Sequence, residues 1–186
     1  MENYNYMPGM QNMPPCLFQQ NQYMTMPGFY ERPQMPMNTG LEPYTYPQNL
    51  PQALKSIQEA VTGEAEDRKF YQYLIDNAPS NEDKEIIAGI RDDEIGHFSL
   101  FRQVYYQLTG QMLPPTQDVA FQKPASYCAG IKKALVGEQN AAKKYKRILF
   151  ALQDRVQINI LTEIITDELR HGILYNYLYT KNGCKV

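Results

Sequence analysis

Two short stretches with the same pattern most constrain what this chain can fold into. They are residues 93–97 (DEIGH) and 167–171 (DELRH), offset by 74 positions. The sequence has only 2 histidines, and each follows a glutamate by three positions. Residues three apart on a helix share a face, so each stretch is predicted to present one carboxylate and one imidazole to a common point.

The offset of 74 residues extends well beyond these two stretches. Glu64 and Glu138 are also 74 positions apart, and a glycine precedes each of them. Further matched pairs are Lys69 and Lys143, Tyr71 and Tyr145, Ile86 and Ile160, and Ile90 and Ile164. Such self-similarity indicates an internal duplication. The alternative is that the repeated acidic residues are ordinary surface charge.

Residues 51–182 have apolar positions every three or four residues, which predicts four amphipathic helices. Ser80 and Asp154 suit helix N-caps, whereas Gly110 and Gly183 suit helix ends. The predicted inward stripes are Ile57, Ala60, Glu64, Asp67, Tyr71 and Leu74; Ile87, Ile90, Glu94, His97 and Phe101; Ile131, Ala134, Glu138, Ala141, Tyr145, Ile148 and Leu152; and Leu161, Ile164, Glu168, His171 and Tyr175.

Turn positions predict how the glutamates meet. Glu64 and Glu94 lie equally far from Pro79, in the first predicted turn, and Glu138 and Glu168 lie equally far from the second. In an antiparallel hairpin, residues equidistant from the turn sit at the same height. We therefore predict an all-α fold, a ferritin-like antiparallel four-helix bundle of two repeated hairpins, with the acidic groups in one layer.

Burying six ionisable groups on apolar stripes is very costly unless something compensates their charge. Four carboxylates carry four negative charges, which balance two divalent cations. Oxygen-rich ligation with only two nitrogens favours iron or manganese over structural zinc. The sequence thus predicts two iron (or manganese) ions held by Glu64, Glu94, His97, Glu138, Glu168 and His171.

This ligand pattern resembles the ferritin-like superfamily, and most of all the di-iron domain of rubrerythrins, over residues 51 to about 181. The resemblance implies a non-haem oxidoreductase acting on hydrogen peroxide or dioxygen, in oxidative-stress defence or as a ferroxidase, with no organic cofactor. It also implies bridging of the two metals by Glu94 and Glu168, and terminal binding by Glu64, Glu138, His97 and His171.

The chain departs from the rubrerythrin pattern in two places. Paired CxxC motifs are missing, so a rubredoxin-like domain is not expected and an external electron donor is required. Ala141 stands where rubrerythrins have a further glutamate, while its repeat equivalent is Asp67. Asp67 is either an additional ligand or a salt-link or hydrogen-bond partner. Tyr71 and Tyr145 resemble hydrogen-bond partners of the ligands, with plain core packing as the alternative.

Residues 1–50 differ in composition from the rest of the chain. Met, Pro, Tyr, Gln and Asn fill 34 of these 50 positions. Frequent prolines and few aliphatic side chains predict an irregular low-complexity tail. Met and Tyr offer adaptable contacts, so the tail either binds a protein partner or is an extension without one. Its composition is similar to coat-associated proteins of spore-forming bacteria, which makes a structural coat or assembly protein the alternative function.

Overall composition argues against several partners. With 20 acidic and 18 basic residues, no nucleic-acid binding is expected, and no apolar run predicts a membrane span or secretory signal. Cys16, Cys128 and Cys184 form no CxxC pair, so we expect free thiols and a cytoplasmic protein, with association with the spore as the alternative. We expect a homo-oligomer, and iron storage in a closed shell is a further alternative.

Overall fold

A computed structural model of the protein describes residues 42–117 and 120–185. All of them belong to the unit Pro36–Val186. The predicted tail lies outside the described residues except for 42–50, which include a 3-10 helix at Glu42–Tyr44. The described chain contains no strand and five α-helices, which are α1 (Leu50–Thr62), α2 (Glu64–Asp76), α3 (Asn81–Thr109), α4 (Tyr127–Leu149) and α5 (Arg155–Lys181).

The predicted caps set the helix ends. Ser80 Oγ accepts from the backbone N–H of Asp83 at 3.2 Å, and Asp154 Oδ1 accepts from two backbone N–H groups at 2.9 and 3.0 Å. Gly110 follows α3 with φ 71°, and Gly183 lies just beyond α5 with φ 61°. Glycine adopts this left-handed conformation without steric cost. The predicted boundaries at these four positions are confirmed.

The first predicted helix is interrupted, which corrects the expectation of one continuous helix from residue 51 to 77. It is divided at Gly63 into α1 and α2, and the N–H of Gly63 bonds to the carbonyl of Val61. Glycine weakens a helix interior because it gains no side-chain packing and loses more chain entropy than alanine. Glu64 consequently becomes the first residue of α2.

The inward stripes form two apolar clusters. The first cluster includes Ile57, Phe101, Tyr145, Ile148, Leu161 and Ile164. The second cluster includes Leu74, Ile87, Ile90, Ile131, Tyr175 and Leu178. Along α3, α4 and α5 the buried glutamates and histidines lie between the residues of these clusters. α4 packs along α5, and α3 packs against α1, α2 and α5. A buried polar layer therefore separates two apolar layers.

A disulfide joins Cys128, at the start of α4, to Cys184, just after α5. It corrects the expectation of free thiols at these two positions, and Cys16 lies outside the described residues. The two cysteines are 56 positions apart in the sequence, but their Cα atoms lie only 5.5 Å apart. They are close because α4 and α5 pack along each other, so that the start of α4 lies beside the end of α5. No helix of the described chain is long and apolar enough to cross a membrane.

Candidate metal centre

Four predicted ligands from three helices converge in the polar layer. Glu94 of α3, Glu138 of α4, and Glu168 and His171 of α5 each place one donor atom within 4.8 Å of the others. All four side chains are buried. The helical spacing of Glu168 and His171 brings both groups to one face, as expected from the sequence. Such a group offers three oxygens and one nitrogen to a cation.

His97 joins this group from α3. Its Nδ1 lies 3.3 Å from Oε1 of Glu168 and 3.6 Å from Oε2 of Glu94. The Nδ1 of His171 lies 3.2 Å from Oε1 of Glu94. The two imidazole rings are stacked with their centroids 6.0 Å apart. Both histidines therefore turn Nδ1 towards the carboxylates, and five of the six predicted ligands come together.

The opposite ring nitrogens contact aspartates that the sequence reasoning missed. Nε2 of His97 lies 3.3 Å from Oδ2 of Asp167, and Nε2 of His171 lies 3.1 Å from Oδ2 of Asp93. Arg170 bridges the two aspartates, donating to Asp93 at 2.5 Å and to Asp167 at 3.2 Å. A carboxylate that accepts from Nε2–H keeps that proton in place, so a cation that displaced the Nδ1 proton would meet the Nδ1 lone pair.

The sequence repeat contains a signal that could have identified these two aspartates. Each of the two repeated stretches begins with Asp-Glu, so Asp93 and Asp167 are repeat equivalents. Residues adjacent on a helix do not share a face, which is why neither aspartate belongs to the ligand group itself. Instead, each one reaches the histidine of the other repeat, so the two stretches complete each other's sites.

Glu64, the sixth predicted ligand, lies outside the converging group. Arg68 donates to its Oε1 at 2.6 Å, while Arg102 and Thr116 donate to its Oε2 at 2.7 and 2.9 Å. Burial opposes ionisation, but the hydrogen bonds from Arg102, Thr116 and Arg68 outweigh it and lower the pKa of Glu64. Its carboxylate is thus held as an anion by two guanidinium groups and a hydroxyl.

A cavity of about 180 Å³ borders the group. The residues around it are Asp67, Phe70, Tyr71, Glu94, Lys133, Ala134, Gly137, Glu138, Ala141, Tyr145 and Glu168. Three of the converging carboxylates therefore face a space large enough for several water-sized molecules. Asp67 and its repeat equivalent Ala141 line the same space.

Tyr71 and Tyr145 line this cavity and are otherwise buried. Burial, followed by the charges of Glu94 and Glu138, raises the pKa of Tyr71 well above its usual range. Burial, followed by the charges of Glu168 and Glu94, does the same for the pKa of Tyr145. Both are therefore neutral phenols. Within the described chain neither hydroxyl makes a hydrogen bond, and each ring packs against a phenylalanine.

Asp67 stands in a negative environment. Burial, followed by the charges of Glu94 and Glu66, raises its pKa to about 6. In the described chain it forms no ion pair, and Lys133 on the same cavity lies 3.9 Å from Glu66 instead. The structure therefore offers no salt link for Asp67, one of the roles that the sequence left open.

Histidine charges compensate the buried carboxylates in the metal-free protein. Burial alone would lower the pKa of His97 and of His171, but the neighbouring carboxylates raise both to about 10. Burial, and then Glu94, raise the pKa of Glu168. The group therefore holds its own protons, which a bound cation would displace.

The donors fit a metal. His97 Nδ1 and Glu168 Oε1 are buried and make no hydrogen bond in the described chain. They lie 3.3 Å apart and form an ion pair when His97 is protonated, so loss of that proton would free both atoms to bind a cation. Carboxylate oxygens with imidazole nitrogens suit iron or manganese. The residues that could hold such ions are Glu94, Glu138, Glu168, His97 and His171.

Comparisons with known proteins find a protein of similar sequence and a solved structure of similar fold. No protein-family model matches the sequence. The chain is 28% identical over 142 residues to the uncharacterized protein YhjR of Bacillus subtilis (strain 168), covering 76% of this chain and 97% of that one. It also resembles a hypothetical protein of Pyrococcus furiosus, with a TM-score of 0.58 and 21% identity, over 69% of this chain and 88% of that chain. The latter likeness shows the fold alone.

Proposed function

We propose that the protein is a non-haem di-metal oxidoreductase with a ferritin-like four-helix bundle, acting on hydrogen peroxide or dioxygen. The observation that carries the proposal is the buried group of three glutamates and two histidines, in which His97 Nδ1 and Glu168 Oε1 lie 3.3 Å apart and make no hydrogen bond within the described residues. A bound cation would replace the protons that this group holds and would satisfy both atoms.

The order of the apolar clusters along each helix supports the bundle. α3 and α4 pass from the second cluster to the first as the chain proceeds, whereas α5 and the α1–α2 pair pass from the first to the second. The α1–α2 pair is therefore antiparallel to α3, and α4 is antiparallel to α5. The longer connection between α3 and α4 carries the chain back along the bundle, as in ferritin-like folds.

The distances suggest how the ligands divide between two ions. Glu94 lies close to Nδ1 of both histidines, at 3.2 Å from His171 and 3.6 Å from His97, so it would help to hold metal on both sides of the site. Glu138 lies on the side of His171, with Oε2 at 3.8 Å from Nδ1. Glu168 lies beside His97 and also belongs to the converging group.

The protein's own residues would position a small oxidant and shield the reaction. Bound iron or manganese would supply the electrons that reduce peroxide or dioxygen. The cavity admits a molecule of that size up to Glu94, Glu138 and Glu168, and buried Tyr71 and Tyr145 restrict its width. Asp93 and Asp167 hold the imidazoles in place by accepting from Nε2. An external donor would return the electrons.

The first test is metal content. Full-length protein reconstituted anaerobically with ferrous or manganous ions should bind two ions per chain. Glu94→Ala should lose at least one, because Glu94 contacts both histidines. Asp92→Ala is the matched control, since Asp92 is a 65% exposed carboxylate on the same helix. Bound ions should also raise the unfolding temperature by relieving repulsion between the buried carboxylates.

Reactivity separates an enzyme from a structural metal protein. The di-ferrous protein, mixed with hydrogen peroxide in a stopped-flow spectrometer, should be oxidised, and Asp92→Ala should behave like the unaltered chain. Binding of one ion or none would contradict the di-metal site. Two ions without oxidation over minutes would favour the structural or assembly role and end the enzymatic proposal.

A further inference from the structure

The two sides of the proposed site do not have equal ligands. On the side of His171, Glu138 places Oε2 at 3.8 Å from Nδ1. By the repeat, the corresponding carboxylate for His97 is Glu64, which lies outside the group. The converging group thus contains three carboxylates, one fewer than the number that balances two divalent cations. The side of His97 needs a further anionic ligand.

Glu64 is poorly suited to move in. Both of its oxygens accept hydrogen bonds, from Arg68, Arg102 and Thr116, at 2.6 to 2.9 Å. Hydrogen bonds between charged groups are the stronger kind, and the Arg102 side chain is only 29% exposed. Withdrawing Glu64 would leave a half-buried guanidinium without its carboxylate, which is costly.

Asp67 is available one turn later on α2. It lines the cavity with Glu94, Glu138 and Glu168, and in the described part of the chain it makes no ion pair. Gly63 provides the room, because a Cβ there would lie 3.3 Å from Asp67 Oδ2. Lys133 lines the same cavity but lies 3.9 Å from Glu66, so Asp67 adds a fourth carboxylate to the cavity that a bound cation would compensate.

We propose that Asp67, and not Glu64, supplies the α2 carboxylate to the di-metal site, on the side of His97. This assignment rests on the proposed function. Ala141, the repeat equivalent of Asp67, lines the same cavity and supplies no carboxylate of its own. The two halves therefore differ in their terminal ligands, with Glu138 in one and Asp67 in the other, and Glu64 serves to hold Arg102 and Thr116.

Two matched amide variants of the full chain test the assignment. Asp67→Asn and Glu64→Gln each remove one charge with almost no change in shape. Ion content is measured by elemental analysis after anaerobic reconstitution with manganous or ferrous ions, and thermal unfolding is followed with and without the metal. Both readouts are independent of enzymatic activity.

Asp67→Asn should bind one ion fewer per chain and show a smaller metal-induced rise in unfolding temperature. Its metal-free unfolding temperature should not fall, because the variant removes repulsion from Glu94 and Glu168. Glu64→Gln should show the reverse. Its metal-free unfolding temperature should fall because bonds to Arg68 and Arg102 weaken, whereas its ion content and metal-induced rise should match those of the unaltered chain.

Loss of an ion in Glu64→Gln would overturn the assignment, and so would two ions with a full metal-induced rise in Asp67→Asn. Either result would return the α2 ligand to Glu64 or remove it. If the unaltered chain itself bound fewer than two ions, the failure would be that of the proposed function, whatever the variants did.

Discussion

The two halves of the repeat, α2–α3 and α4–α5, share a ligand pattern but orient their first glutamates differently. Glu138 is buried in the converging group, whereas Glu64 turns to Arg68 and Arg102. The repeat equivalents of these arginines are Ala142 and Asn176, which carry no charge. Equal positions on equivalent helices therefore give unequal sites, because neighbouring cations decide where a carboxylate points.

The hairpin turns show a second difference of this kind. Asp83, three residues into α3, is fully buried and accepts from Lys181, Tyr127 and Asn182. Its repeat equivalent, Gln157, is also buried, and its side-chain amide donates to Gln107 at 3.1 Å. The disulfide between Cys128 and Cys184 lies near Asp83, because Tyr127 and Asn182, which contact Asp83, are close to these cysteines in the sequence. Asp83 is therefore held by charged contacts close to a disulfide, whereas the side chain of Gln157 makes a neutral amide contact.

Of the changes that test the difference between the two turns, removal of the disulfide should lower the free energy of unfolding the most. Cys128→Ser with Cys184→Ser should lower the free energy of unfolding by up to about 4 kcal/mol, because the bridge closes a loop of 56 residues in the unfolded chain. Denaturant unfolding with and without reductant measures it, with Cys16→Ser as the control. Thiol titration of the denatured, unreduced chain should find two thiols fewer than after reduction, and an equal count would contradict the bridge.

The next largest effect comes from comparing the two turns directly. Asp83→Ala should cost about 3 kcal/mol of unfolding free energy, because Lys181 and Asn182 lose a buried anionic acceptor. Gln157→Ala should cost only about 1 kcal/mol, the usual value for one neutral hydrogen bond. Equal losses in urea denaturation would mean that the charged cluster adds nothing over the amide pair.

The pH dependence of stability extends this comparison. Burial opposes ionisation of Asp83, but hydrogen bonds from Lys181, Ser80 and Asn182 outweigh it and lower the pKa from 3.8 to about 2. The unfolded state then binds the proton more readily, so the contribution of about 2 kcal/mol is complete above pH 3.8 and disappears as the pH falls through about 2. Asp83→Ala should lack this acid-labile part, measured by denaturant titrations between pH 5 and 2.

Local chemistry made much of the fold predictable. The 3-and-4 spacing predicts the buried faces of the helices, although Asp67 and Ala141, which it places inward, are only partly buried. Ser80, Asp154 and Gly110 mark helix ends because caps depend only on adjacent backbone groups. Five of the six predicted ligands come together, as the same periodicity predicts. Spacing along one helix was enough to bring Glu168 and His171 to one point.

Long-range contacts account for what the sequence left out. Glu64 points away because of Arg102, 38 residues later, and Thr116, in the connection between α3 and α4. The histidine partners Asp93 and Asp167 lie on the other repeat, and Cys128 meets Cys184 only when α4 and α5 are packed. Periodicity describes one helix at a time, so it cannot reveal which side chain of a second helix completes a contact.

The smallest expected effect tests whether the halves differ at their paired glycines. Gly137→Ala meets no atom within 4 Å, so it should stabilise the protein by about 0.5–1 kcal/mol through helix propensity and leave the ion content unchanged. Gly63→Ala places a Cβ 3.3 Å from Asp67 Oδ2, so that carboxylate must shift by a few tenths of an ångström. Its gain in stability should be smaller and its affinity for metal lower.

Denaturant unfolding and manganous-ion titration of the two variants measure both quantities. If the two variants bound metal equally well, the position of Asp67 against Gly63 would have no part in the site, and the contrast between the halves would reduce to the orientation of Glu64.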